Sequence, residues 1–184
     1  MSKRKWMGAG IILCWFFVVA AGYEKPGKKL VIPELGFSMK LPIGWQTDSK
    51  EKNFFYETSK GHKSHGWVEQ YLSEGRSLSE FVEASLKDVN RMKSMQRRIE
   101  RLLGEFSSGE DGSKAQLPRI RSKAPRKIGG LEAIEVVCEG EYSVMEVFIR
   151  KGDKVINVMF RTFKGDFPKY ETSFRQAIES ITIR

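Results

Sequence analysis

The fold of this chain is decided by residues 131–163, which read LEAIEVVCEGEYSVMEVFIRKGDKVINVMFRTF. The stretch holds three runs rich in Val, Ile, Phe and Met, at Leu131–Glu139, 143–150 and Lys154–Phe163. Their composition predicts three consecutive β-strands, and a Gly-Asp pair joins the last two at the distance of a tight hairpin. Both alternating sets of residues are apolar in the last two strands. We therefore expect an antiparallel sheet that is covered on both faces.

More strands precede this meander. Gly129 and Gly130 form a second two-residue hairpin signal, so Arg119–Ile128 is predicted to be the neighbouring strand. Residues 53–58 and 66–73 have the composition of two further strands, separated by a polar loop. Together these segments predict a mainly antiparallel sheet.

A long helix is predicted between these two groups of strands. Ser77 and Glu80 form a capping-box pattern, which opens the periodic segment 78–103. At helical spacing its apolar residues fall on one side, and basic residues fall on the other. The basic residues include Lys87, Arg91, Arg98 and Arg101. We expect a central helix that packs on the sheet with its apolar side and has a basic, solvent-exposed face on the other side.

A second helix is predicted at the C-terminus. Pro168 suits a first helical position, and Tyr170, Phe174 and Ile178 follow at helical spacing. The predicted fold class is α/β, an α/β/α sandwich in which a mainly antiparallel sheet lies between a long central helix and a C-terminal helix. Trp45 follows a strand and a tight turn, and we expect its indole to pack beneath a helix.

A short pattern near the start of the domain has the form F-x-x-x-L-P-x-G-W, from Phe37 to Trp45. Together with the long helix, the late meander and a final S-I-T-I at 180–183, it resembles the PsbP-like superfamily. That superfamily includes PsbP-type subunits of photosystem II and DcrB-like exported proteins. The resemblance covers residues 30–183 and implies an α/β/α sandwich. It also implies an accessory or binding protein rather than an enzyme, and its structural motifs specify no reaction.

The first 22 residues have the pattern of a secretory signal. Three basic residues at 3–5 lead into an apolar run at 6–19, which ends in the small residues 20–22. The run is shorter than the roughly 20 residues that span a bilayer, which favours cleavage of the signal. A retained N-terminal membrane anchor is the alternative, with Trp6 and Tyr23 as interfacial aromatics.

Export sets the compartment and the limits of the domain. The protein is expected outside the cytoplasm, either periplasmic or secreted, or held at the membrane by its N-terminal segment. Residues 23–29 are predicted to be a tether, and residues 30–184 form the predicted PsbP-like domain. Without the signal, Cys138 is the only cysteine, so no internal disulfide can form. Its apolar surroundings predict a buried, inert thiol.

The sequence predicts no catalytic residue, no metal site and no cofactor. His62 and His65 are the only histidines, and their spacing suits a metal only if a third ligand such as Glu57 or Glu69 approaches. Solvated loop histidines are the simpler interpretation. Glycine-rich nucleotide loops and a Gly-x-Ser-x-Gly elbow are absent from the sequence. A small metal-dependent enzyme or small-ligand carrier, with a site near residues 62–65, is the alternative function.

Positive charge is concentrated in one part of the chain. The whole sequence carries +9, and residues 87–127 hold twelve basic and five acidic side chains. Such a field attracts acidic proteins and anionic lipids. We therefore expect Lys87, Arg91, Arg98 and Arg101 to bind an unknown protein partner or an anionic membrane surface. A solvated face that binds nothing is the alternative, and export excludes nucleic acid as the partner.

Cleavage of the signal is expected near Ala21 or Gly22, because small residues follow a short apolar span. Intact-mass measurement of the exported protein checks this prediction. A mass that still includes residues 1–22, together with resistance to extraction at high salt, would show a membrane anchor instead.

Overall fold

The structure is a computed structural model that describes residues 27–58, 64–88 and 119–184. No helix in these ranges is long and apolar enough to cross a lipid bilayer. The strands predicted in the second half of the chain and around residues 53–73 are confirmed to within one or two residues. The elements are β1 (Lys29–Ile32), a 3-10 helix (Pro33–Leu35), β2 (Phe37–Lys40), β3 (Trp45–Thr47), β4 (Phe54–Glu57), β5 (His65–Leu72), α1 (Leu78–Lys87), β6 (Arg119–Ile128), β7 (Leu131–Glu139), β8 (Tyr142–Lys151), β9 (Lys154–Phe163), α2 (Phe167–Glu179) and β10 (Thr182–Ile183).

The described strands form two antiparallel sheets. The larger has seven strands in the order β3-β4-β5-β9-β8-β7-β6, and the predicted meander runs from β6 to β9. Strand β5 lies inside the sheet, between β4 and β9. The next strand in the chain, β6, lies at the far edge of the same sheet. The smaller sheet has the order β1-β2-β10, which brings the C-terminal strand next to the start of the domain.

The large sheet is covered on both faces, as its two apolar sets of residues predicted. In β7, Ala133 and Val137 join the core that contains α2 and the three-stranded sheet. Ile134 and Val136 join a separate core that contains α1. Successive residues of a strand point to opposite faces, so the two helices lie on opposite sides of the sheet. The α/β fold with a mainly antiparallel sheet is confirmed.

Helix α1 begins where the capping box predicts. The Ser77 hydroxyl oxygen accepts the Glu80 N–H at 3.3 Å, and the Glu80 carboxylate accepts the Ser77 N–H at 2.8 Å. The helix ends at Lys87, because Asp88 has extended backbone with φ −78° and ψ 96°. Residues 89–118 lie outside the described residues. A single long central helix is therefore not confirmed.

The turn after β2 delivers Trp45 into the core. Gly44 in this turn has a φ of +82°, in the left-handed region that favours glycine. Trp45 is 2% exposed, and its ring packs edge-on against Phe174 of α2 with centroids 5.5 Å apart. Phe160 of β9 and Tyr170 of α2 also contact it, at 5.9 and 6.4 Å. The prediction that Trp45 packs beneath a helix is confirmed.

Trp45→Ala should lower the free energy of unfolding by about 3 to 5 kcal/mol, because it leaves a large cavity in this aromatic cluster. Trp45→Phe is the matched control and should cost less. It keeps an aromatic ring, and the indole N–H that it removes has no hydrogen-bond partner within the described chain. Urea unfolding measures both changes. A loss below about 1 kcal/mol for Trp45→Ala would contradict the burial.

Candidate interaction surface

Strand β6 is strongly basic and lies at an edge of the large sheet, where β7 is its only partner among the described strands. Its ten residues, RIRSKAPRKI, include five lysines or arginines and no acidic residue. All of them except Ala124 and Ile128 are exposed. Pro125 suits this position, because an edge strand leaves one side of its backbone without ladder hydrogen bonds. We call residues 119–128 the basic edge.

Three of the five basic side chains in the basic edge form ion pairs. Arg119 and Lys127 form none with any described residue. The pairs of Arg121 and Lys123 are exposed, and exposed ion pairs contribute less than about 1 kcal/mol each. The ion pairs, with nitrogen–oxygen distances from 3.1 to 3.6 Å, are Arg121 with Glu139 and Glu171, Lys123 with Glu83, and Arg126 with Glu135.

Behind the basic edge, two arginines converge on the buried carboxylate of Glu135. Arg126 comes from β6 and Arg175 from α2. Arg175 also binds Glu171 at 3.0 Å. Burial opposes the charge of Arg175, but hydrogen bonds to Glu171 and Glu135 outweigh it and raise the pKa of the guanidinium. This network ties β6 to α2 and gives the basic edge a fixed frame.

Of the four basic residues that the sequence predicts as a binding surface, the structure describes only Lys87, which is exposed at the end of α1. Glu80 and Glu83 of the same helix are also exposed, so the exposed face of its described part is not purely basic, in contrast to the prediction from the sequence. Glu83 lies one turn before Lys87 and binds Lys123, which places Lys87 on the side of α1 that borders the basic edge. The other three lie outside the described residues: Arg91, Arg98 and Arg101.

The prediction of two solvated loop histidines is wrong for His65. This residue begins β5, is 2% exposed, and lies between the rings of Phe54 and Trp67 at centroid distances of 5.9 and 6.0 Å. Pairing of β5 with β4 and β9 carries it into the aromatic core. His62 lies outside the described residues. Within the described ranges, no group of three or more His, Cys, Asp or Glu could hold a metal ion.

Polar residues are also buried on the α1 face of the sheet. Asn157 of β9 donates a hydrogen bond to Glu146 of β8 at 3.1 Å. On β5, the Tyr71 hydroxyl donates to Glu69, which lies directly opposite Asn157. Hydrogen bonding offsets the cost of burying Asn157 and Glu146, whereas Glu69 and Tyr71 are half-buried. These contacts were not predicted from the sequence, although single polar residues within apolar strands are the signal for them.

On the opposite face, Tyr170 of α2 donates its hydroxyl proton to Glu57 of β4, with 2.6 Å between the oxygens. Burial and this hydrogen bond raise the pKa of Tyr170 to about 12. A phenol held in its protonated form is a poor base and a poor nucleophile. The contact links α2 to strand β4 of the sheet.

Comparison with known proteins identifies the fold but no close relative. No protein-family model matches the chain, and no curated protein matches it. The solution structure of cyanobacterial PsbP (CyanoP) from Synechocystis sp. PCC 6803 is similar, with a TM-score of 0.51 and 12% identity over 90% of this chain and 96% of that one. The crystal structure of LpqN, described as involved in cell envelope biogenesis of Mycobacterium tuberculosis, is also similar. Its TM-score is 0.53, with 9% identity over 88% of this chain and 87% of that one.

At such low identities these likenesses show the fold alone. The chain has a PsbP-like fold, and the resemblance stated from its sequence is confirmed at that level.

Tyr170→Phe should lower the free energy of unfolding by about 1 to 2 kcal/mol at pH 7, because it removes a hydrogen bond to a carboxylate. The folded-state pKa of about 12 lies above the ordinary value of about 10. This stabilisation is therefore fully present below about pH 10 and is lost as the pH rises towards about 12. Urea unfolding at pH 7 and pH 11 measures the difference between wild type and variant. A difference that is as large at pH 11 as at pH 7 would contradict the assignment.

Proposed function

We propose that this chain is an exported, non-enzymatic accessory protein that binds an acidic partner protein at or near the membrane. Its binding surface comprises the basic edge together with Lys87, Arg91, Arg98 and Arg101. One observation carries the proposal. The basic edge presents five positive side chains and no negative one on a sheet edge that the described strands leave open.

An edge strand offers a partner two kinds of contact. Its free backbone groups can bind an extended segment by strand addition, and its side chains select the charge of that segment. Two copies of the basic edge would repel each other, because lysine and arginine on edge strands oppose self-pairing. An extended acidic segment is attracted instead. Pro125 has no backbone N–H and cannot donate a hydrogen bond to an added strand. We therefore expect charge to contribute most of the selectivity for that strand.

The distribution of charge favours a protein segment over a lipid surface at this edge. Arg126 binds Glu135 on the α2 face of the sheet, whereas Lys123 binds Glu83 of α1 on the other face. A flat bilayer contacts only one face of an edge strand. An added strand pairs with the edge itself, so its side chains reach the charges on both faces of the sheet. An anionic membrane surface is therefore the second choice of partner for the basic edge.

The proposed compartment rests on the N-terminal segment and has support from the fold. Residues 1–22 have the pattern of an export signal. LpqN, which has a similar fold, is described as involved in cell envelope biogenesis. Analogy at the level of fold supports the location and specifies no partner. A metal-dependent enzyme or ligand carrier near residues 62–65 gains no support from the buried position of His65.

The proposed function is tested with a ten-residue peptide that has glutamate at every second position and threonine between. Arg119→Glu with Lys127→Glu should weaken its binding by about tenfold or more at low salt, because two attractive charges become repulsive. Folding should stay intact, since neither residue is ion-paired with the described chain. Fluorescence anisotropy measures binding, which should also fall as salt shortens the screening length.

Lys154→Glu with Lys164→Glu is the matched control, because it changes the net charge equally at other exposed or half-exposed positions. It should bind the peptide normally, and a peptide with glutamine in place of glutamate should not bind. Lys87→Glu with Arg98→Glu and Arg101→Glu tests the remainder of the surface and should weaken binding. Equal loss in both double variants would exclude a specific basic edge. If His62→Ala abolished stoichiometric metal binding or a measured turnover, the enzyme alternative would replace this proposal.

A further inference from the structure

A second positive surface lies at the start of the domain and shares no residue with the basic edge. It consists of the lysine before β1, the lysines of β1 and β2, and the two lysines in the turn after β3, and we call it the lysine surface. All five of its lysines are exposed, and none forms an ion pair with a described residue. This differs from the basic edge, where three of five positive charges are paired. The lysine surface comprises Lys28, Lys29, Lys40, Lys50 and Lys52.

Strand pairing forces two of these lysines together. Lys29 of β1 lies directly opposite Lys40 of β2. The alternate residues of β1, Leu30 and Ile32, are buried in the core, so Lys29 and the exposed Val31 point outward. Like charges directly opposite each other destabilise an antiparallel pair. An external anion would relieve this repulsion.

The turn after β3 adds two lysines to the same surface. Lys52 lines one surface depression together with Lys29 and Val31, which shows that the turn and β1 are neighbours. The turn also contains Asp48 and Glu51, so five positive charges face two negative ones.

The carboxylate of Asp48 is already engaged within the turn. Its Oδ1 accepts the backbone N–H groups of Lys50 and Glu51 at 2.7 and 2.9 Å. These two hydrogen bonds lower the pKa of Asp48 and keep the carboxylate ionised, and the bond from Glu51 has the larger effect. Asp48 therefore shapes the turn that presents Lys50 and Lys52, and the surface keeps a net positive charge.

The preceding chain indicates which anion meets the lysine surface. The described residues begin at Gly27, and the backbone carbonyl oxygen of Lys28 accepts the Leu41 N–H at 2.8 Å. The chain therefore enters the domain at this surface. Only a few residues before that, the sequence carries the apolar run 6–19 of the predicted export signal, which brings the chain to the membrane during export and holds the domain there in the retained-anchor alternative. We infer that the lysine surface rests on anionic lipid headgroups, with the exposed Val31 directed at the bilayer. Lysines beside a membrane-directed segment bind anionic lipids electrostatically.

The lysine surface and the basic edge share no residue. The turn that carries Lys50 and Lys52 follows β3, which is one edge strand of the seven-stranded sheet, whereas β6 is the other edge strand. Lys29 and Lys40 belong to the separate three-stranded sheet. The inference does not depend on the proposed acidic partner.

Amine-reactive footprinting tests the inference on the full chain without added labels. The protein is reconstituted into nanodiscs of phosphatidylglycerol or of phosphatidylcholine, and mass spectrometry gives the acetylation rate of each lysine. Phosphatidylglycerol should slow acetylation of the lysine surface several-fold relative to phosphatidylcholine. Lys127 and Lys164 should react equally in both, and 1 M salt should remove the protection because it shortens the screening length to about 3 Å.

A matched pair of variants makes the test specific. Lys29→Gln with Lys40→Gln and Lys52→Gln should remove the protection of Lys28 and Lys50. Lys154→Gln with Lys164→Gln and Lys169→Gln removes the same charge elsewhere and should preserve it. Equal rates in the two lipids, or equal slowing at Lys164, would overturn the inference. Protection by inorganic phosphate in phosphatidylcholine nanodiscs would also overturn it, because a free anion would then suffice. None of these outcomes bears on peptide binding at the basic edge.

Discussion

The burial of β9 on both faces is the constraint on which the rest of the domain depends. Residues 155–162 are all buried, and their side chains alternate between the two faces of the sheet. Ile156, Val158 and Phe160 pack towards α2 and the three-stranded sheet. Val155 packs towards α1 on the other face. A strand of this kind is stable only when both faces are covered, so the helices and the small sheet are parts of one cooperative unit.

Because β9 is buried on both faces, its polar side chains need interaction partners inside the domain. Asn157 is satisfied through Glu146, and the guanidinium of Arg161 lies 3.7 Å from the ring centre of Tyr142. Both arrangements offset the cost of desolvation, since an unsatisfied polar group in such a core is strongly destabilising. The polar contacts described inside the domain therefore have structural roles. This shifts the search for function from the interior to the surface.

The basic edge and the lysine surface differ in how their charge is held. At the basic edge, carboxylates from β7, α1 and α2 bind three basic residues, and the other two form no ion pair with a described residue. In the lysine surface, pairing within the three-stranded sheet holds Lys29 against Lys40, and the carboxylate of Asp48 is used by its own turn. Both proposals rest on this difference between paired and unpaired charge. A PsbP-like fold by itself supplies neither surface, because fold does not specify function.

The sequence by itself determined the elements that short-range physics encodes. Glycine pairs specify hairpins because residues such as Gly129 and Gly130 adopt positive φ, here +57° and +83°. The capping box places the start of α1, apolar alternation identifies the strands, and the strand and tight turn before Trp45 predict its burial. Each of these signals depends on residues close together in the chain. Elements of this kind, together with their order, were sufficient to indicate the fold.

Only the tertiary structure decided which strands are neighbours and which lie at edges. Pairing of β5 with β9 joins residues about ninety positions apart, and it is this pairing that buries His65 and places Glu69 opposite Asn157. The same holds for the Lys29–Lys40 pair and for the ion pairs that link β6 to α1 and α2. No local pattern encodes such contacts, because they arise when distant segments bury their apolar faces against each other. The candidate surfaces therefore became visible only once the sheet was assembled.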